Sequence, residues 1–325
     1  MKTTQGAAAS VSSRKSNNPI LRLGLVREIR KNHALFVMVI PALVFLIVFN
    51  YIPMYGVQVA FKQFNFIDGI FGSPWVGLDN FMFFFKSRFF FQTTFNTLFI
   101  NAMIIVLGTF MAVSTAILIA EIPSKAMKKI FQTSVFFPFF ISWIVVSAFI
   151  RGLLSDRFGL VNNMLVSWGG EAIPWFNLAE LWPYFLAIIA TWKGLGYGTV
   201  IYLAKIVGID PEIMEAAKID GANKWQEIIY IIMPALKPTI VLLFLIHLGQ
   251  IFYGDFGMVF AIIGDNAMLL PSTDIINTYI FRAMRMNQQF GVAAAVGLYQ
   301  SVMGFILVVI TNHIVRRHDR DLALF

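Results

Sequence analysis

Apolar positions in this chain come in six long blocks, at about 34–51, 96–120, 130–150, 181–203, 238–263 and 291–315. Most of the charge lies between them. A bilayer-crossing helix needs about 20 apolar residues, so the blocks predict six membrane-spanning helices. Pro41 and Pro138 fall inside the first and third blocks and predict kinks there. The segment 52–95 is rich in Phe and Trp and holds a turn signal, SPWVG, at 73–77. Its aromatic run 81–91 is broken by Lys86 and Arg88, which predicts an interfacial helix rather than a span. Loops are expected at 151–180 and 264–290.

The stretch 210–234, DPEIMEAAKIDGANKWQEIIYIIMP, can live in water, and it has the marks of structure. Asp210 suits a helix N-cap and Pro211 the first helical position. Glu212 and Glu215 then fall in the first turns, where the helix dipole favours acids. Gly221 can end that helix. Asn223 with Gln226 three residues on predicts a second cap, and Pro234 is expected to interrupt the second helix. The pattern reads as helix, glycine turn, helix, between two apolar blocks.

Composition narrows the class. The chain is 58% hydrophobic and 13% charged, with a mean hydropathy of +0.74. Ordinary soluble domains carry about a quarter charged residues. This is the composition of an all-α integral membrane protein. It has no cysteine, so thiol and disulfide chemistry are excluded. Residues 1–18 are polar and are expected to be disordered, without the apolar core of a signal peptide. Residues 19–32 read as a basic helix on the membrane surface or as a basic tail. The organisation expected is a cytoplasmic tail and surface helix at 1–33, a transmembrane domain at 34–317 with a cytoplasmic loop at 208–236, and a short tail at 318–325.

The net charge of +8 reports topology before it suggests nucleic acid. With the N-terminus inside, seventeen of the twenty-five Lys and Arg residues fall on inner segments and seven on outer ones. Lys193 lies within a span. The excess places both termini and the 210–234 stretch in the cytoplasm.

The spacing within that stretch resembles the EAA loop of binding-protein-dependent ABC importer permeases. Glu215-Ala216-Ala217 is followed by Gly221 and then by Ile231, Met233 and Pro234, where such permeases usually have leucine in place of Met233. Other strings narrow the resemblance to carbohydrate permeases that handle oligosaccharides and polysaccharide fragments. They are NYIPMYG at 50–56, SPWVGL at 73–78 with Asn80-Phe81, FISW at 140–143, WKG at 192–194, IDP at 209–211, DIINTYIFR at 274–282, and Gly297-Leu298. The resemblance implies the type I importer fold and a non-catalytic subunit. It implies a second homologous permease, two ATPase subunits that bind ATP and Mg, and an extracytoplasmic solute-binding protein. The ATPase-coupling residues it implies are Asp210, Glu215, Ala216, Ala217, Asp220, Gly221 and Pro234.

No phosphate-binding G-x-x-x-x-G-K-[ST] string occurs, so ATP hydrolysis falls to partners. No cofactor or metal is expected in the chain. Histidines 33, 247, 313 and 318 are scattered, and His247 reads as a packing residue. Lys193, deep in the fourth block, is costly unless paired or facing water. It reads either as a pathway residue or as a structural one, in an ion pair or capping backbone carbonyls near Gly194 and Gly196. Gln250, Tyr253 and Asp255 form a second polar group. Trp143, Trp192, Tyr197 and Tyr253 offer aromatic faces that suit sugar rings, with ordinary packing as the other reading. An ion-coupled secondary transporter is the rival class, but it usually has more spans and more buried acids. An ABC permease for a non-sugar nutrient is the nearer alternative.

Overall fold

The computed structural model describes residues 31–318. The readings for 1–30 (the polar tail and most of the surface helix) and for 319–325 lie outside the described residues. The chain divides into two bodies, one ending at Gly56 and one beginning at Val57. In the first, α1 (His33–Leu46) contains Pro41 and passes into a π-helical turn, Ile47–Tyr51. A 3-10 helix, Ile52–Phe61, follows and carries the chain into the second body. The candidate span is therefore His33–Phe61, longer than the apolar block.

In the second body, α2 (Asp79–Phe85) and α3 (Arg88–Ala120) divide the aromatic run. The break falls at Lys86 and Ser87, where the charges interrupt the apolar surface. The helix that crosses the membrane thus starts at Arg88, not at 96. α4 (Lys125–Phe136) continues through a 3-10 turn, Phe137–Phe140, and then the chain bends by 98° into α5 (Trp143–Leu154). The third block is thus two helices meeting at a sharp bend and not a kinked rod. Pro138 sits in the 3-10 turn, where it removes one N–H from the ladder. Ser142 then caps α5 by accepting from the Val145 N–H at 3.4 Å. A short helix, α6 (Leu160–Ser167), lies in the loop before α7 (Trp182–Val207).

The fifth block is also shifted. α8 (Pro211–Ile219) is followed by α9 (Lys224–Glu227), a π-helical turn at Ile228–Ile232, and α10 (Met233–Gly249). The candidate span is Lys224–Gly249, whereas the apolar pattern predicted 238–263. Pro234 does not interrupt it. It sits in the first turn of α10, just after a π turn has already offset the hydrogen-bond ladder, so its missing N–H costs little. Beyond Gly249 the chain turns and forms α11 (Phe256–Ile262). The 264–290 segment is not all loop, since it holds α12 (Ile276–Arg285), and α13 (Phe290–His318) is the last span. Among the described residues five helices are long and apolar enough to cross a membrane, or six if the bent α4–α5 pair counts as one span.

Three clusters hold the second body together. One joins Phe84, Phe252, Tyr279 and Val296. A second joins Ile100, Trp182, Leu186 and Ile262. The third packs Ala112 and Ala116 of α3 against Tyr202 and Leu203 of α7 and Ile232 and Leu236 of the fifth span. Small residues let the helix backbones approach, which replaces the hydrophobic drive that lipid removes.

Irregular backbone at membrane depth needs partners. The turn after Gly249 receives them from distant amides. Asn101 donates to the Ile251 oxygen at 2.8 Å, Gln300 to that of Phe252 at 2.6 Å, and Asn277 to that of Tyr253 at 2.5 Å. Gly254 completes the turn at φ +63°. Further out, the buried Asp274 carboxylate pairs with Arg282 and accepts from Thr278. Burial pushes its carboxyl above the usual carboxylate range, and Arg282 and Thr278 oppose that shift.

On the basic side, Lys224 lies 2.8 Å from both Glu121, at the end of α3, and Glu227. Glu227 is almost wholly buried at 2% exposure. Lys224→Met leaves that carboxylate without its cation, at an expected cost of about 1–3 kcal/mol. Melting of the purified protein in detergent reads this out. Glu227→Gln in the same background should recover most of the loss, and no recovery would deny the pairing its role.

Candidate functional site

Two regions carry the candidate residues, and the fourth and fifth spans join them. The first is the water-accessible stretch between α7 and α10. The Asp210 carboxylate accepts from the Glu212 N–H at 3.0 Å, and Pro211 opens α8, as the sequence predicts. α8 ends in a paired cap. The Gly221 N–H reaches the Lys218 oxygen at 3.1 Å and the Ala222 N–H reaches that of Ala217 at 2.9 Å. This cap needs a left-handed residue, and Gly221 supplies it at φ +79°. Asn223 and Gln226 then form a reciprocal capping box at 2.8 and 3.0 Å.

The surface of α8 is mixed, with one side packed inward and the rest exposed. Met214 packs on the third core cluster. Glu215 and Ala216 are exposed, as are Ile213 and Ile219, the latter at 86%. Apolar side chains that face water outside the spans mark a contact surface. Asp220 caps the C-terminal end of α8 and is exposed. Pro234 lies apart from this surface, inside the start of α10.

The second region is a cavity of about 650 Å³ between α3, the α4–α5 break, α7 and the turn after α10. Five of the seven candidate pathway residues line it: Trp143, Lys193, Gln250, Tyr253 and Asp255. Tyr197 instead lines an adjoining cavity of about 210 Å³ and stacks on Phe139 at 5.4 Å. Trp192, one helical position from Lys193, points about 100° away and does not line the larger cavity. Asn101, Phe139, His247 and Asn277 also line it. Of these, Asn101 carried no local signal in the sequence, and Asn277 lies within the DIINTYIFR string without having been singled out. Thr191 Oγ1, buried and without a partner among the described residues, belongs to the smaller cavity.

Lys193 makes no ion pair among the described residues, and the carbonyl it caps lies at the α4–α5 break and not in its own helix near Gly194 and Gly196. Its ammonium donates to the Phe139 oxygen at 2.9 Å, which caps the 3-10 turn at the helix break. It also lies 5.2 Å from the Trp143 ring and 5.5 Å from that of Phe139. No carboxylate pairs with it among the described residues, so its charge is held by a neutral carbonyl and two π faces. Asp255, by contrast, is fully engaged. One oxygen accepts from Trp143 Nε1 at 2.7 Å and the other caps α11 through the Met258 N–H at 2.9 Å. The cavity therefore presents one cation, Lys193, and one carboxylate, Asp255, which do not pair with each other. The 12-residue α5 opens at Trp143 on this cavity, and its N-terminal dipole adds to the preference for negative charge.

Comparison with known proteins follows the same lines. The family described as "Binding-protein-dependent transport system inner membrane component" matches residues 104–320. The polygalacturonan/rhamnogalacturonan transport system permease protein YteP of Bacillus subtilis is 33% identical over 324 residues, covering 99% of each chain. A chain in the crystal structure of a bacterial ABC transporter involved in the import of the acidic polysaccharide alginate aligns with a TM-score of 0.82 at 33% identity. That match covers 90% of this chain and 98% of the other. A chain of a bacterial alginate ABC transporter, in complex with a periplasmic protein bound to alginate pentasaccharide, aligns with a TM-score of 0.80 at 32% identity. It covers 90% of this chain and 96% of that one.

Proposed function

Because the chain belongs to the family of binding-protein-dependent transport system inner membrane components, we propose that it is the ABC importer permease that carries an acidic oligosaccharide inward by alternating access. The observation that carries this reading is a continuity of structure. The exposed α8 follows α7 after a short turn and leads through α9 and the π-helical turn into α10, and other parts of α7 and the fifth span's outer end wall the 650 Å³ cavity. A displacement of α8 therefore reaches the cavity through rigid helices. Partner ATPases bind ATP and Mg and move α8. Glu215 offers an anchoring carboxylate, while Ala216 and Ala217 permit close approach. A second, homologous permease completes the pathway, and a solute-binding protein delivers the saccharide.

In the cavity, Trp143 and Tyr253 offer faces to sugar C–H surfaces, and Gln250, Asn101 and Asn277 offer amides to hydroxyls. Lys193 binds carboxylate. Lys193→Met removes that charge and also uncaps Phe139. Transport of a carboxylated oligosaccharide should fall at least tenfold in reconstituted vesicles. Unchanged transport would remove Lys193 from the pathway.

The test of the whole reading is purification in mild detergent from the native membrane, with mass spectrometry of what accompanies the chain. A second permease and an ATPase, in a ratio of one to one to two, is the expected result. Isolation as a plain homo-oligomer, under conditions that keep other ABC complexes intact, would favour an ion-coupled transporter instead.

A further inference from the structure

The outer end of α5 carries a second cation built on the same plan as Lys193. α5 and α11 run side by side in the same direction, because Trp143 reaches Asp255 at one end and Arg151 reaches Ile262 at the other. Arg151 lies in the last turn of α5. Its guanidinium donates to the Ile262 oxygen at 3.4 Å, a long bond, and sits 5.7 Å from the centre of the Phe176 ring. It has no carboxylate partner among the described residues. Like Lys193, it is held by a main-chain carbonyl and an aromatic face, and its charge is left over.

A cavity of about 410 Å³ opens at this point, lined by Arg151, Ser155, Asp156, Arg157, Phe158 and Phe176. Two arginines against one aspartate leave it net positive. Arg157 has no ion-pair partner among the described residues either. A guanidinium with free N–H pairs binds a carboxylate through two parallel hydrogen bonds, a geometry that a hydroxyl cannot match. Phe158 and Phe176 add aromatic surface of the kind that packs on sugar rings. The eight residues from Trp143 to Arg151 correspond to about 12 Å of helix. That separation suits a short oligosaccharide with more than one acidic unit, not a single ring.

We propose that the Arg151 cavity is an outer subsite that binds a carboxylate of an acidic saccharide, with Lys193 binding another at the inner end of the same helix. This rests on the saccharide-import reading above. Arg151 selects for charge on the substrate at the entrance, before the broken-helix cavity is reached. A purely structural Arg151, serving only to tie α5 to α11, would not distinguish a charged substrate from its neutral ester.

The experiment uses the complete importer in proteoliposomes with the binding protein in saturating, substrate-loaded form. Uptake of labelled trigalacturonate is compared with that of its methyl ester. Arg151→Gln keeps a donor for the Ile262 oxygen and removes the charge. It should slow uptake of the acid about tenfold and leave the ester unaffected, and Arg151→Lys should restore part of the loss. Wild-type uptake of the acid should weaken as salt rises, and the Arg151→Gln variant should lose that dependence. Equal slowing of both substrates, or no slowing of the acid, overturns the subsite. Should the binding protein accept only the acid, the salt dependence and the Arg151→Lys recovery decide, and absence of both overturns it. If the wild-type importer takes up the ester as fast as the acid, the importer reading stands and the subsite falls. If it takes up neither trimer but does import a non-saccharide, the reading of the substrate falls with it.

Discussion

Gly221→Pro should reduce transport by the assembled importer at least twentyfold, while the protein still inserts and assembles in the membrane. Gly221 ends α8 at φ +79°, and its N–H closes the cap onto Lys218 at 3.1 Å. Proline holds φ near −65° and has no N–H, so it fits neither requirement. A Cβ at this position meets nothing within 4 Å, so the defect is one of backbone direction and not of crowding. The residue lies outside every candidate span, which is why insertion survives. What fails is the path between α8 and α10. ATP hydrolysis should continue without import, which separates uncoupling from unfolding. Gly221→Ala keeps the N–H and pays about 1–2 kcal/mol for a left-handed conformation, so it should give an intermediate rate. Full transport by the proline variant would deny α8 its lever role.

The second large effect is expected at Gly196. A Cβ built there would lie 2.3 Å from the Phe136 Cα and 2.6 Å from the Val135 oxygen. Both are backbone atoms, so no side chain can swing aside. α7 crosses the end of α4 at this glycine, one turn from the bond between Lys193 and Phe139. Gly196→Val must push the two helices apart, at a cost of about 3 kcal/mol or more. We expect loss of the monodisperse peak in detergent chromatography and a sharp rise in protease sensitivity. Gly194 is the control, only two residues away. Nothing lies within 4 Å of its would-be Cβ, and it lines both cavities. Gly194→Ala should fold normally and affect transport alone. Equal tolerance at the two glycines would mean that the close crossing has no structural weight.

The local signals in the chain proved readable where their partners lie within a few residues. Asp210, Pro211, Gly221 and the Asn223–Gln226 box all behave as their residue types require, because a cap is completed within one turn of helix. The span limits fared worse. The breaker residues were present, Pro138 within 137–142 and Gly249, Gly254 and Asp255 within 249–256, but the apolar blocks run on past both places, so average hydropathy places no end there. In both places a residue far along the chain makes the break affordable. Lys193 caps Phe139 across 54 positions, and Asn101 reaches Ile251 across 150. Pro234 misled in the opposite sense, since the π turn before it absorbs a defect that the residue alone predicts to be disruptive.

The sequence by itself determined the class, the membrane and the capped helix–turn–helix of the 210–234 stretch. Each of these follows from composition or from contacts within a turn. Only the tertiary structure decided which polar residues share a cavity and in what electrostatic state. Asp255 accepts from Trp143 Nε1 and from the Met258 N–H, which fix its carboxylate in place, while Lys193 and Arg151 are held by carbonyls and rings and not by carboxylates. An ionisable side chain acts through what it meets in space, and those meetings are set by helix packing across more than a hundred residues.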